Sequence, residues 1–246
     1  MQRKKISLII ADDMEYKPVE EYAKSFPACT ETERFGMQAL QVEIEAPKAA
    51  VLLEAVRCGI GKENAAAGTA YAIASGADII LNFGLSGGIS GTRIGDFVLG
   101  RAYVISDMDV TPFGYEKGMV PGEETLLPSD ARLLELFRRL MPFAKEGTLA
   151  TGDIFVNSRE GKLRLLHDFG AMACDMESAA AALVCKKAGI PFLSVRKISD
   201  DAAEEATESY SEMNNRAEDD LFSYICLGIG EIVRADWFHS TTLRKE

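Results

Sequence analysis

The chain has 246 residues, of which 47% are hydrophobic and 26% are charged, and this composition excludes an intrinsically disordered protein. Its formal net charge of -11 disfavours nucleic acid and anionic membranes as partners. No apolar run reaches the roughly 18 to 20 residues that a membrane-spanning helix needs, so no such helix is predicted.

The start of the chain, MQRKKISLIIADD, is basic and then apolar, but its apolar run stops at Ala11 and acids follow. It therefore predicts a first strand and not a signal peptide. The five cysteines are scattered, odd in number and without metal-ligand spacing to one another or to His167 or His239. They predict reduced thiols in a cytoplasmic protein that holds no metal, and we expect no cofactor.

Short apolar runs alternate with helical patterns along the whole sequence. Their order predicts an α/β fold with a largely parallel or mixed sheet, built as one three-layer domain over residues 1–246. Strands are predicted at 5–11, 40–46, 50–59, 77–84, 147–157 and 190–201, with a further strand after the glycine-dense turn that begins at 85. Helices are predicted at 16–26, 61–75, 130–141, 176–189 and, as one long helix, about 204–243.

Ligands bind α/β sheets at the carboxyl ends of strands, and several polar or glycine-rich loops follow the predicted strands here. The stretch NFGLSGGISG has glycines that suit a phosphate, but a further strand follows where a dinucleotide-binding fold needs a helix. No dinucleotide site is therefore predicted. The loops contribute Asp12, Asp13 and Glu15; Gly59 to Lys62; Gly84 to Gly88; Asp153 to Asn157; and Ser199 to Asp201.

Each acid in this set also has an ordinary structural interpretation. Glu15 and Glu177 fall near the start of predicted helices, where a carboxylate caps the helix or suits its dipole. Asp200 ends a strand, where aspartate serves as a local hydrogen-bond acceptor. The segment 109–122, DVTPFGYEKGMVPG, is apolar for a loop and indicates a subunit interface or a ligand lid, with core packing as the alternative.

Six segments follow one another along most of residues 6–212: ADDME, CGIGKENAAAGTAYAI, NFGLSGGIS with RIGDFV, DVTPFGYEKGMVPG, TGDIFVNS and DMESAAAALVCKKAGIPFLSVRKISDDA. In this order they resemble the nucleoside phosphorylase and nucleosidase superfamily, and within it the nucleosidases that act on 5'-methylthioadenosine and S-adenosylhomocysteine. The resemblance implies a partly barrel-like sheet. It also implies hydrolysis of the N-glycosidic bond of an adenine nucleoside with a 5'-thioether, which gives adenine and a thioribose.

The resemblance assigns three acids to this reaction. Asp200 matches the general acid that protonates purine N7, Glu177 matches the residue that binds the 2'- and 3'-hydroxyls, and Glu15 matches the base that activates water. An alternative alignment puts Lys17 in the place of Glu15, where a lysine would serve poorly as a base. For Asp200 to hold a proton near neutral pH, its pKa must be raised by burial and by nearby negative charge, which we expect from Glu177.

The resemblance also implies how the rest of the pocket binds the nucleoside. Phe155 stacks on adenine, and Val156 and Asn157 hold its edge. Met176 and Ile60 pack against the ribose and the 5' arm, with Tyr210 near the thioether. Further implied substrate-binding residues are Leu85, Ser86, Gly87, Asp175, Arg196 and Ser199. Val110, Phe113 and Pro121 match residues that reach into the site of a neighbouring subunit, so a homodimer is implied.

Three positions depart from the family pattern, and three alternatives stay open. Leu85 replaces the usual serine, Asp12 a methionine and Asp175 a glutamate. A purine nucleoside phosphorylase would need cationic or hydroxyl donors for phosphate, and the acidic first loop favours water instead. A hydrolase of another nucleoside, such as futalosine, fits the apolar segment 109–122 less well. A catalytically inactive nucleoside-binding protein is disfavoured by the three acids. The sequence does not identify the preferred 5' substituent.

Overall fold

The computed structural model describes residues 4–44, 50–214, 218–234 and 237, and ten strands and seven α-helices alternate within these ranges. The strands are β1 (Lys4–Ile10), β2 (Thr30–Arg34), β3 (Met37–Ile44), β4 (Val51–Arg57), β5 (Ile79–Gly88), β6 (Phe97–Ile105), β7 (Leu127–Pro128), β8 (Lys145–Thr151), β9 (Ala173–Asp175) and β10 (Phe192–Asp200). The helices are α1 (Asp13–Lys24), α2 (Lys62–Ala74), α3 (Ala131–Leu140), α4 (Arg159–Phe169), α5 (Ser178–Ala188), α6 (Ala206–Asn214) and α7 (Glu218–Arg234).

One mixed sheet holds the strands together, in the order β10-β6-β8-β9-β5-β1-β4-β3-β2, with β7 paired to β6. β5 lies at its centre, parallel to β1 and β10 and antiparallel to β9. The extra pairing of β10 with β5 closes β10, β6, β8, β9 and β5 into a ring. The predicted mixed, partly barrel-like sheet flanked by helices is therefore confirmed.

Helices cover both faces of this sheet. α1, α3 and α7 pack on one face around Tyr16, Phe137 and Phe222, while α2 and α5 pack together on the other face. The alanines of α5 are small enough to let α2 and the sheet approach closely, and Ala179 and Ala181 are fully buried. Both faces of β10 are covered, and each of its residues is buried. Its polar residues Ser194, Arg196 and Asp200 are therefore buried together with its apolar ones.

The sequence missed four elements. β2 has only exposed side chains, β7 and β9 have two and three residues, and α4 buries only Leu165, so none of them carries a clear hydrophobic period. The single helix predicted at about 204–243 covers two helices in the described part of the chain: α6 packs on β10, and α7 packs on α1 and α3. Residues 215–217, between these two helices, lie outside the described residues, so the predicted continuity is not tested there. Of the remaining tail, 235–246, the structure describes only Trp237.

Within the described ranges, no helix is both long and apolar enough to cross a bilayer. The same ranges contain no cluster of His, Cys, Asp and Glu side chains that could hold a metal ion. All five cysteines are free thiols.

A buried ion pair joins β1 to β4. Lys5 Nζ lies 2.8 Å from Glu54 Oε1, and the two side chains are 6% and 0% exposed. Glu54 also accepts hydrogen bonds from Ser7 Oγ at 2.8 Å and from Gln41 Nε2 at 2.7 Å. Since an unpaired buried carboxylate is costly, Lys5 compensates a charge that the surrounding sheet cannot solvate.

We expect Lys5→Met to lower the free energy of unfolding by about 3 kcal/mol, because it leaves Glu54 charged and buried without its cation. Urea unfolding monitored by circular dichroism measures this loss. The matched control is Lys24→Met, which removes an exposed pair with Glu20 one helical turn away and should leave stability unchanged within error. Equal effects of the two substitutions would contradict the stabilising role of the buried pair.

Candidate active site

A cavity of about 710 Å³, including its open mouth, lies where β1, β5, β8, β9 and β10 end. Its lining combines carboxyl groups with apolar side chains and, within the described part of the chain, includes no lysine or arginine. The lining residues are Ala11, Asp12, Glu15, Ile60, Leu85, Ser86, Gly87, Ile154, Phe155, Val156, Cys174, Asp175, Met176, Glu177, Ser199, Asp200 and Tyr210.

Arg196, on β10, lies directly behind the cavity and is 1% exposed. Its Nε is 3.2 Å from Asp175 Oδ2, and its Nη2 is 3.6 Å from Glu177 Oε2. Nη2 also donates to Asn82 Oδ1 at 2.6 Å and to Ser178 Oγ at 2.9 Å. Because a buried charge is tolerated only when it is paired and hydrogen-bonded, Arg196 fixes both acids beside the cavity.

Glu177 immediately precedes α5, but its side chain does not cap that helix. Asp175 does so instead, since its Oδ1 accepts from the backbone N–H groups of Glu177 at 3.2 Å and Ser178 at 3.1 Å. The interpretation of Glu177 as a capping acid is therefore wrong. Its Oε1 accepts from the Gly61 N–H at 3.1 Å, and the residue lines the cavity. Burial raises the pKa of Glu177; Arg196 opposes this shift and Asp175 adds to it.

Glu15 enters the cavity from the first turn of α1. Its Oε1 accepts from the Leu85 N–H at 2.7 Å, and its Oε2 accepts from the Asp12 N–H at 3.3 Å as part of a capping box. A Cβ on Gly84 would lie 2.5 Å from Glu15 Oε1 and 2.8 Å from Arg196 Nη1, so only glycine admits both side chains. Burial raises the pKa of Glu15 to about 7, with Arg196 opposing and Glu177 adding to the shift.

Asp200 ends β10 and is buried at the cavity wall. Its Oδ2 accepts from Ser199 Oγ at 2.6 Å, and its Oδ1 accepts from the Ala202 N–H at 2.8 Å. Burial raises the pKa of Asp200 although these two hydrogen bonds oppose it. The predicted direction is thus confirmed, but the acid that adds most to the shift is Asp201 and not Glu177.

Aromatic side chains form the outer wall of the cavity. The ring centroids of Phe155 and Tyr210 are 5.7 Å apart, with the rings edge to face. Phe155 is 41% exposed, so one face of its ring is open to a flat ligand. The pKa of Tyr210 is raised by burial and then by the charges of Glu15 and Asp12.

Most residues singled out from the sequence line this one cavity, although they come from seven separate parts of the chain. Arg196 lies behind the lining and contacts it only through other side chains. Asn157 is exposed and lies outside the lining, as do Val110, Phe113 and Pro121 of segment 109–122.

Sequence reasoning did not select Ala11 and Cys174, which also line the cavity, and it included Ile154 only as part of the loop from Asp153 to Asn157. Cys174 approaches the Asp200 side, because a Cβ on Gly87 would lie 3.0 Å from both Cys174 Sγ and Asp200 Oδ1. The only signal for Ala11 and Cys174 in the sequence is that each directly precedes a residue that was selected.

Residues 5–227 match the phosphorylase superfamily, and the chain belongs to that superfamily. The 5'-methylthioadenosine/S-adenosylhomocysteine nucleosidase of Exiguobacterium sp. is 38% identical over 165 residues, which cover 64% of this chain and 71% of the relative. The nucleosidase of the same name from Neisseria meningitidis, in complex with methylthio-immucillin-A, is 30% identical with a TM-score of 0.85 over 92% of this chain and 98% of that one. Within the superfamily, the chain belongs to the nucleosidase family that these two proteins represent.

A structure of futalosine hydrolase from Helicobacter pylori is also similar, with a TM-score of 0.85 and 27% identity over 93% of this chain and 98% of that one. The overall fold is therefore shared between nucleosidases that act on different substrates, and the substrate must be argued from the cavity.

The raised pKa of Glu15 makes stability depend on pH. Between its ordinary value of 4.5 and about 7, the folded protein keeps a proton that the unfolded chain has released, so the contribution of this group to stability falls as pH rises through that range. We expect Glu15→Gln, which cannot ionise, to gain roughly 3 kcal/mol relative to the wild type between about pH 4.5 and pH 8. Urea unfolding at each pH measures the difference, and parallel stability curves for the two proteins would contradict it.

Proposed function

We propose that the protein hydrolyses the N-glycosidic bond of 5'-methylthioadenosine and S-adenosylhomocysteine, releasing adenine and the corresponding thioribose. The observation that carries this proposal is the convergence of Glu15, Glu177 and Asp200 on one cavity that no described lysine or arginine lines. Bond cleavage at a sugar requires an acid for the leaving group and a base for water, with negative charge near the oxocarbenium-like sugar. The three carboxyl groups meet these needs.

Asp200 is the proposed general acid. Adenine leaves poorly as an anion, so a proton must reach purine N7 as the glycosidic bond breaks. Burial raises the pKa of Asp200 and so favours a carboxyl group that still carries a proton. Phe155 then binds the purine ring on its open face, and Val156 and Ser199 complete the wall around it.

Glu177 is the proposed ribose ligand, and Glu15 is the proposed base. Gly61 and Arg196 hold Glu177 from behind, which directs its free lone pairs into the cavity toward the sugar hydroxyls. The carboxyl group of Glu15 titrates near neutral pH and can therefore accept a proton from water as that water attacks C1'. The backbone N–H of Leu85 orients Glu15, so the leucine that replaces the usual serine keeps this contact.

Water is favoured over phosphate as the nucleophile. Phosphate binding in proteins relies on arginine, lysine or several aimed N–H groups. Arg196 lies behind the cavity, but Asp175, Glu177 and Asn82 already occupy its guanidinium. The carboxyl groups of the cavity would also repel a dianion.

We further propose that the protein acts as a homodimer in which segment 109–122 of each subunit completes the neighbouring site. Phe113 is 81% exposed, and Tyr115 is 40% exposed, in this segment. Exposed aromatic side chains at such density are typical of protein interfaces.

The test is to incubate the purified protein with 5'-methylthioadenosine, with and without phosphate, and to follow adenine by chromatography. We expect adenine release at the same rate in both buffers. Release that requires phosphate would instead identify a phosphorylase, and no release would identify a nucleoside-binding protein. S-adenosylhomocysteine and futalosine in parallel assays define the tolerated 5' group.

Asp200→Asn should lower the rate of adenine release by at least about 100-fold, because it removes the proton donor without changing the size of the side chain. The matched control is Asp201→Asn, which changes the exposed neighbouring acid and should keep most of the activity. Steady-state kinetics on both variants, with circular dichroism to verify folding, make the comparison. Near-normal turnover by Asp200→Asn would exclude the assigned role.

Phe113→Ala should weaken the dimer and raise KM for 5'-methylthioadenosine about tenfold, since the aromatic anchor of the proposed shared wall is lost. Phe35→Ala is the control, because Phe35 is 89% exposed at the turn between β2 and β3, outside segment 109–122. Sedimentation velocity and initial-rate kinetics report the two effects. A dimeric Phe113→Ala variant with unchanged KM would refute the shared site.

A further inference from the structure

An ionic cluster lies at the mouth of the cavity but takes no part in the chemistry proposed above. Lys62 Nζ is 2.7 Å from Asp153 Oδ2 and also bonds Asp107 Oδ2. The Lys62 backbone N–H donates to Asp153 Oδ1 at 2.9 Å, and the Asp153 N–H donates to Asp107 Oδ2 at 3.0 Å. Each of the three residues therefore contacts both of the others, and we call this cluster the Lys62 latch.

The Lys62 latch joins loops that are far apart in the sheet. Lys62 follows β4, Asp153 follows β8, and Asp107 follows β6. Strands β1, β5 and β9 lie between β4 and β8, so these two strands are four steps apart, or about 19 Å along the sheet. Of the intervening strands, β1 leads to Glu15 and β9 leads to Glu177. The latch therefore spans the mouth above the strands that supply the proposed catalytic groups.

Each end of the latch continues into a wall of the cavity. On one side, Gly61 directly precedes Lys62 and donates its N–H to Glu177 Oε1 at 3.1 Å. Gly61 has a φ of +103°, and a Cβ there would lie 3.3 Å from Asp153 Oδ1, so the latch fits closely around a glycine. On the other side, Asp153 directly precedes Ile154 and Phe155, which form the outer wall.

We propose that the Lys62 latch fixes the position of the purine-binding wall at Phe155 relative to the ribose-binding group Glu177, so that Lys62 is a positioning residue for nucleoside binding. This inference rests on the proposed function. The latch lies 18% to 34% exposed at its three side chains, where ions from solution reach it. Salt therefore weakens the latch, because screening acts strongly on accessible charges.

Lys62→Met tests the latch against the wild type. Losing a preorganised wall should raise KM for 5'-methylthioadenosine about tenfold and change kcat less than about threefold, because ground state and transition state lose the same contacts. The Kd of free adenine, measured by calorimetry, should rise about fivefold for the same reason. Asp107→Asn keeps Lys62 and Asp153. It should also raise KM for 5'-methylthioadenosine and the Kd of adenine, but by less than Lys62→Met does.

A salt titration of the wild type and of Lys62→Met is a second test of the latch. 5'-Methylthioadenosine and adenine carry no net charge at neutral pH, so salt acts on the protein and not on their approach. KM and Kd of the wild type should rise toward the Lys62→Met values at about 1 M NaCl, where the Debye length is about 3 Å. The Lys62→Met values should stay constant over the same range.

Lys145→Met is the matched control. Lys145 Nζ also has two partners, Asp96 Oδ2 at 2.6 Å and the Gly91 carbonyl oxygen at 2.5 Å, but it lies at the first residue of β8, the end away from the cavity. This variant should keep the KM, Kd and salt response of the wild type. Similar increases in Lys145→Met and Lys62→Met would show a general loss of structure and overturn the proposal.

The outcomes separate the latch from the function on which it rests. An active wild type whose KM and adenine Kd are unchanged in Lys62→Met would contradict the latch alone. A wild type that binds adenine but releases none from any nucleoside would contradict the proposed function, while the adenine Kd still tests the latch. A wild type that neither binds adenine nor hydrolyses a nucleoside would contradict both.

Discussion

The buried guanidinium of Arg196 is the constraint on which the site depends. A cation that is 1% exposed requires paired acids and hydrogen-bond acceptors on every side, and it finds them on β5, β9, β10 and α5. These elements must therefore meet at one point. Gly84 is part of the same constraint, since any side chain there would collide with Arg196 and with Glu15. The closure of the sheet through the pairing of β5 with β10 brings this point to the edge of the barrel.

Asp175 and Glu177 lie two residues apart but make different contacts. Asp175 caps α5 and pairs with Arg196, so its oxygens are occupied by the protein. Glu177, two residues later, is left with lone pairs that face the cavity, although it stands where a cap is expected from the sequence. A substitution of Asp175 would therefore disturb the packing of α5, whereas a substitution of Glu177 would change the binding of a ligand in the cavity.

The architecture could be predicted from the sequence where apolar residues form a short run or recur at the helical period. Strand β1 has the first pattern and helix α3 has the second, and the loops that follow the predicted strands lie at the cavity. β2 and β9 were not predicted because one is exposed throughout and the other is three residues long.

The site itself was less accessible to sequence reasoning. The acids at strand ends were identifiable, but their proposed roles came from a family resemblance. The charge that adds to the raised pKa of Asp200 belongs to the adjacent Asp201 and not to Glu177. The Lys62 latch joins three loops that are far apart in sequence. Contacts of this second kind depend on strand order, and strand order is set by the whole sheet.

The central claim is that a cavity walled by carboxyl groups, with the guanidinium of Arg196 behind it already paired, delivers water and not phosphate to the sugar. The most direct measurement is a mass spectrum of the sugar product formed from 5'-methylthioadenosine in phosphate buffer. The account predicts free 5-methylthioribose as the product. A 5-methylthioribose 1-phosphate in its place would contradict it.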